Sequence, residues 1–251
     1  MTPRTKEQNE DIRLRRLAQI RKAAADVFLD KGPLLEIRDV AAQAGLGYGT
    51  VYHYYSNKGD LLNDLLWDAL DRAGGWMGAQ REAPGKIPLE VLRDSTSMEA
   101  TAGRHMGLAA VTDTMSTGAP DSLSGSGETA AAVEFEPATA SVRLLQLWAE
   151  DHSVFLLYKL AGEGFTSLPE GRSSLLLNAF CQEVLMPFAA LLETGSAVEG
   201  AAASGGNAAE SPGKLQRAEM LLAAMTGCAS LSLRRGKLHE EAGDIIRLLK
   251  F

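Results

Sequence analysis

The 251-residue chain has little cysteine, few aromatic residues and no long apolar run. Cys181 and Cys228 both sit in apolar stretches, without metal-ligand spacing and too few for a disulfide framework, so they read as buried free thiols. The longest uncharged run, Met220 to Leu233, has fourteen residues and contains Thr226, Gly227 and two serines. That is short of the ~20 apolar residues that span a bilayer. The first twenty residues are charged throughout, which is not the pattern of a secretory leader, so a soluble, cytoplasmic protein with no membrane partner is expected.

Catalytic signatures are missing too. There is no His-Glu-x-x-His, and none of the four histidines has a glutamate three residues before it, which leaves di-metal chemistry in a bundle unsupported. Gly45-Leu46-Gly47-Tyr48-Gly49 is not a dinucleotide loop, because it follows a helical pattern and the position of its third glycine is Thr50. No Gly-x-Ser-x-Gly elbow occurs. The chain reads as non-catalytic, with no cofactor and no metal. No useful β pattern and no internal repeat are visible, so the expected fold is all-α.

Charge is unevenly placed. The formal net charge is −7, yet residues 1–60 hold 10 Lys/Arg and 8 Asp/Glu, while the remainder holds 15 and 24. A slightly basic head on an acidic body suits a nucleic-acid contact confined to one end.

The stretch Ile37 to Leu66 organises that head. Val40, Ala41 and Ala44 share one helical face, and Gly45 then supplies the residue without Cβ that closes a last turn. A second short helix, Tyr48 to Tyr54, puts Val51 and Tyr55 inward and leaves Tyr48, Thr50, Tyr52 and His53 outward. Two short helices joined by a glycine turn form a helix-turn-helix, whose second helix enters the major groove. The outward side chains can hydrogen-bond to phosphates or base edges. Gly47 and Gly49 remove bulk from the first turn so that backbone can approach a phosphate. Lys58 lies just beyond, placed to pair with the phosphate backbone, and Arg38 can reach a guanine edge or a phosphate. Tyr48 and Arg38 are the expected base contacts; Thr50, Tyr52, His53 and Lys58 are expected to hold phosphate.

The run DVAAQAGLGYGTVYHYYSNKGDLL, preceded by VFLDKG, resembles the DNA-binding domain of the tetracycline-repressor (TetR) family over about residues 10–66. The resemblance implies a three-helix DNA-binding head at 1–56 and a helical ligand-binding and dimerisation body at 57–251, with the fourth helix as connector. It implies a homodimer on a double-stranded DNA operator, released by a small-molecule effector. Two features depart from the family pattern: Glu36 stands where a capping Ser or Thr is common, and the link Gly32-Pro33-Leu34-Leu35 is one residue short.

Periodicity outlines the rest. Residues 1–11 read as a polar tail and Ile12 to Lys31 as a helix with Leu17, Ile20, Ala24, Val27 and Phe28 inward, its arginines either on a solvated face or, for some, touching phosphate beside the reading helix. A fourth helix is expected from Lys58, capped by Asn57, to Arg72, ending at Ala73-Gly74-Gly75. One or two helices follow over 84–117, and then a Gly/Ser/Pro-rich linker over 118–128. A buried helix is expected over Thr139–Ala161 and another over Ser173–Glu193, bent at Pro187. A Gly/Ala/Ser connection over 194–213 leads to helices over Lys214–Leu233 and Leu238–Phe251. Ser173–Glu193 and Lys214–Leu233 are more apolar than one core needs and are the expected dimer interface. Candidate linings of an effector pocket are His105, Met106, Met115, Trp148, His152, Phe155 and Tyr158. They carry no charged cluster, which points to an apolar effector, although each residue also suits a plain core. The alternative function is a helical adaptor or ligand-sequestering protein whose head no longer reads DNA.

Overall fold

The structure is a computed structural model that describes residues 5–82, 137–194 and 212–250, all within one compact unit. Among the described residues every regular element is helical, so the all-α expectation holds.

Helix α1 (Lys6–Lys31) starts six residues before the expected Ile12. Thr5 Oγ1 accepts from the Gln8 amide at 3.3 Å and the Gln8 side chain accepts from the Thr5 amide at 3.1 Å, a reciprocal cap that orders the first turn. Residues 6–11 are therefore helix and not tail. Gly32, at φ +59°, ends α1 in a conformation that side chains with a Cβ avoid. Helices α2 (Ile37–Gln43) and α3 (Tyr48–Tyr54) meet at a turn through Gly45, at φ +64°. The entry to α2 is closed without Ser or Thr, because the Asp39 carboxylate accepts from the Glu36 amide at 3.3 Å. Lys31 Nζ, 2.8 Å away, holds that carboxylate in place and keeps its pKa below the ordinary aspartate value.

Helix α4 (Lys58–Glu82) does not stop at Gly74-Gly75 as expected. Each glycine costs about 1 kcal/mol in a helix interior. Ala73 just before the glycines and Met77 just after them extend the buried row begun by Leu61, Leu65 and Ala69, and burying a Met side chain contributes about 1.5–3 kcal/mol. Gly74 also permits close packing, since a Cβ there would lie 3.1 Å from Glu183 Oε2.

The single helix expected over Thr139–Ala161 is two, α5 (Pro137–Glu150) and α6 (His152–Gly162). Asp151 makes the break: its carboxylate caps α6 by accepting from the amides of Ser153 at 3.0 Å and Val154 at 3.3 Å. Helix α6 is buried from Ser153 through Tyr158, in line with its apolar sequence. Helices α7 (Glu170–Phe180) and α8 (Met186–Thr194) run on through one π turn, Cys181–Leu185. The widened turn sits immediately before Pro187, whose ring would otherwise meet the carbonyl of residue 183. By length and composition alone Glu170–Glu193 could cross a bilayer. In this fold Leu176, Phe180, Val184, Phe188 and Leu191 form a stripe buried in the shared core, so one face of the helix is packed while Leu175 and Leu177 on other faces are exposed. Helix α9 (Pro212–Arg234) turns at Gly236, φ +67°, into α10 (Leu238–Leu249), which packs on α5 and α9. The helices expected over 84–117, the linker at 118–128 and most of the 194–213 connection lie outside the described residues.

Candidate nucleic-acid interface and its link to the body

Helix α3 is held from one side only. Val51 is fully buried and Tyr55 nearly so, and both belong to the core built by α1, α2 and α4. The opposite side is open: Tyr48 is 54% and Tyr52 50% exposed, their rings stacked at 5.7 Å between centroids. His53 is exposed beside them and Thr50 is half-buried. Thus Tyr48, Tyr52 and His53 share a solvent-facing surface, with Thr50 at its edge. Gly47 caps α3, and no described atom lies within 4 Å of a Cβ built at Gly49, so packing within the chain does not require glycine there.

The two cations expected at this surface are already engaged. Arg38 Nε pairs with Glu36, both well exposed. Lys58 Nζ donates to the Pro33 carbonyl at 2.8 Å. An ammonium has three donors, so Lys58 can hold Pro33 and still meet an anion.

A chain of polar groups leads from the end of α3 into the body, and the sequence reading missed it. The Tyr55 hydroxyl donates to Asp64, which also accepts from Arg21 Nε at 2.8 Å. Burial, then the Asp64 carboxylate, pushes the Tyr55 phenol far above its ordinary pKa, so it stays a neutral donor. Arg21 pairs on with Asp68, Asp68 with Arg72 Nη2 at 3.0 Å, and Arg72 Nη1 with Asp151, the cap of α6. Next to Asp151, His152 Nδ1 meets Asp26 Oδ1 of α1 at 2.7 Å. A further tie joins Arg172 of α7 to Asp60 of α4 at 2.7 Å. Arg21 therefore does not belong to a solvated face; it bridges α1 and α4. The available signal is Asp64 and Asp68, one turn apart on α4, of which only Asp68 has a cation one turn away, Arg72.

Of the expected effector residues, Trp148, Phe155 and Tyr158 come together. Trp148 lies 4.8 Å from Tyr158 and 5.8 Å from Phe155 between ring centroids, and Tyr158 meets Phe180 edge-on at 5.4 Å. His152 instead turns toward α1. With Phe155 it lines a groove of about 810 Å³ between α1, α6 and α9 that also holds Asp30, Lys159 and Arg234. His105, Met106 and Met115 lie outside the described residues.

Among the described residues, helices alone present a helix-turn-helix and tie it by ion pairs to a helical body, the architecture of helix-turn-helix DNA-binding proteins. Residues 20–65 match the family described as bacterial regulatory proteins, tetR family, so the similarity covers the helix-turn-helix head and the start of α4. No curated protein matches the chain. Among solved structures it is similar to a gamma-butyrolactone receptor (ArpA like protein), at 14% identity and a TM-score of 0.47, over 95% of this chain and 98% of that one.

Proposed function

We propose that the protein is a homodimeric, effector-responsive transcriptional regulator, a repressor that binds a palindromic operator and is released by a small, largely apolar molecule. The observation that carries this reading is the one-sided burial of α3: Val51 and Tyr55 fix it while Tyr48, Tyr52 and His53 remain free to meet a duplex. Residues 1–56 act as the reading head and 57–251 as the body, with α4 as connector. Tyr48 and Arg38 contact bases. Thr50, Tyr52, His53 and Lys58 hold phosphate, and Gly47 and Gly49 let the backbone come close. Ligand in the body shifts the angle or spacing of the two heads; a coupling of ~1–3 kcal/mol changes operator affinity about five- to 150-fold.

Selection of bound sequences from random DNA tests this. The expected result is a two-fold symmetric consensus with half-sites about one helical turn, ~34 Å, apart. Failure to enrich any sequence sinks the regulator reading and leaves the adaptor or ligand-sequestering reading.

A further inference from the structure

Helix α9 packs against α8 and the π turn but hardly touches α7. The widened turn before Pro187 thus sits where the two helices part, and the wedge between them is floored by α6. It has a volume of about 330 Å³, and its lining combines Tyr158, Leu177, Phe180 and Leu222 with the charged Lys159, Glu163 and Glu219. That volume is at the small end of ligand pockets, which span ~300–1,000 Å³ and are mostly apolar with a few placed polar groups.

One polar group here is unexplained by folding. Tyr158 is 4% exposed, its ring clamped between Trp148 and Phe180, and its buried hydroxyl has no hydrogen-bond partner among the described residues. An orphaned buried hydroxyl destabilises a fold, and phenylalanine would fill the same space without that cost. We propose that this wedge is the effector site and takes a small, largely apolar molecule carrying one carbonyl or ether oxygen, which accepts a hydrogen bond from Tyr158 Oη. This deepens, and rests on, the effector-responsive reading above. Leu177 and Gly227 of this lining also lie on the helices assigned to dimerisation.

The test compares 4-phenylbutan-2-one with butylbenzene, its oxygen-free counterpart, by calorimetry on the full-length protein. Two variants accompany the wild type: Tyr158→Phe, and Gly162→Phe, which adds a ring from α6 where a new Cβ meets open space. In wild type the ketone should bind about fivefold tighter than the hydrocarbon, the worth of one net hydrogen bond. Tyr158→Phe should equalise the two, and Gly162→Phe should weaken both. Without ligand, Tyr158→Phe should melt higher, by about 2–4 °C. The site is overturned by absence of binding, by a ketone preference that survives Tyr158→Phe, by indifference to Gly162→Phe, or by a lower melting temperature for Tyr158→Phe. Affinity for the selected DNA is read separately. If saturating ketone leaves it unchanged, the effector reading fails and the binding site stands. If ketone releases DNA equally from wild type and both variants, the effector reading stands and the wedge fails.

Discussion

Arg38 comes to the reading edge with its guanidinium already paired to Glu36, the residue just before α2. An exposed pair of this kind contributes ~0.2–1 kcal/mol, and a DNA contact has to exchange it for a phosphate or base edge. Glu36→Gln removes both the competitor and a negative charge facing the duplex. It should tighten DNA binding about two- to fivefold and steepen its dependence on salt, as read by anisotropy titrations at several ionic strengths. Lys58→Ala should do the reverse, weakening all sequences alike and reducing the salt slope by about 1; a loss restricted to one sequence would remove Lys58 from the phosphate contacts. Asp60 governs acid behaviour at the start of α4. Its hydrogen bond from Arg172, and then that from Asn57, hold its pKa below the ordinary 3.8. A depressed carboxylate stabilises the fold above the unfolded pKa and loses that contribution as pH falls through the folded one. The urea midpoint should therefore drop below about pH 4, and drop less in Asp60→Asn.

Among the elements, the α5–α6 corner has the widest reach. Asp151 caps α6 and receives Arg72 of α4, while His152 beside it holds Asp26 of α1. Through Asp68, Arg21 and Asp64 the same corner connects to Tyr55 at the end of α3. If the body influences DNA binding, linkage requires that DNA influence the body. Amides of residues 151–155 should exchange more slowly when operator is bound, and the change should shrink in Arg72→Met. An unchanged exchange pattern in wild type would separate this corner from the head. These elements also mark how far the sequence could be read. The bounds of α3, the turn at Gly45 and the inward Val51 and Tyr55 are legible because each follows from residues within a turn or two. The continuation of α4 through Gly74-Gly75 is not, because the burial that offsets the glycine cost is tertiary. The break at Asp151 is hidden by apolar periodicity on both sides of it. The Arg72–Asp151 pair, 79 positions apart, has no local signature at all. At the candidate interface, the outward residues of α3 could be named in advance, whereas the engagement of Arg38 and Lys58 could not.

At the scale of the whole molecule, the outer side of α9 is an apolar surface that packing among the described residues leaves open. Met220 and Leu231 are 66% and 60% exposed, with Ala223 and Gly227 between them on the same helical face. Leu175 on α7 is equally open. Apolar side chains flanking small ones let two helices approach closely, which suits this face of α9 to a partner helix. A second copy is the partner that fits the proposed function, since one helix-turn-helix reads only a few base pairs and a two-fold pair reads two half-sites. Met220→Glu with Leu231→Glu places like charges across such an interface while leaving α1–α4 untouched. Sedimentation should then shift from dimer to monomer, and affinity for the full palindrome should fall about 100-fold or more, the avidity lost when two linked sites become one. Affinity for an isolated half-site should stay within about twofold, because the head itself is unchanged. A dimer that survives the double substitution would move the interface off α9, and an equal loss on half-site and palindrome would mean that the glutamates had damaged the fold and not the pairing.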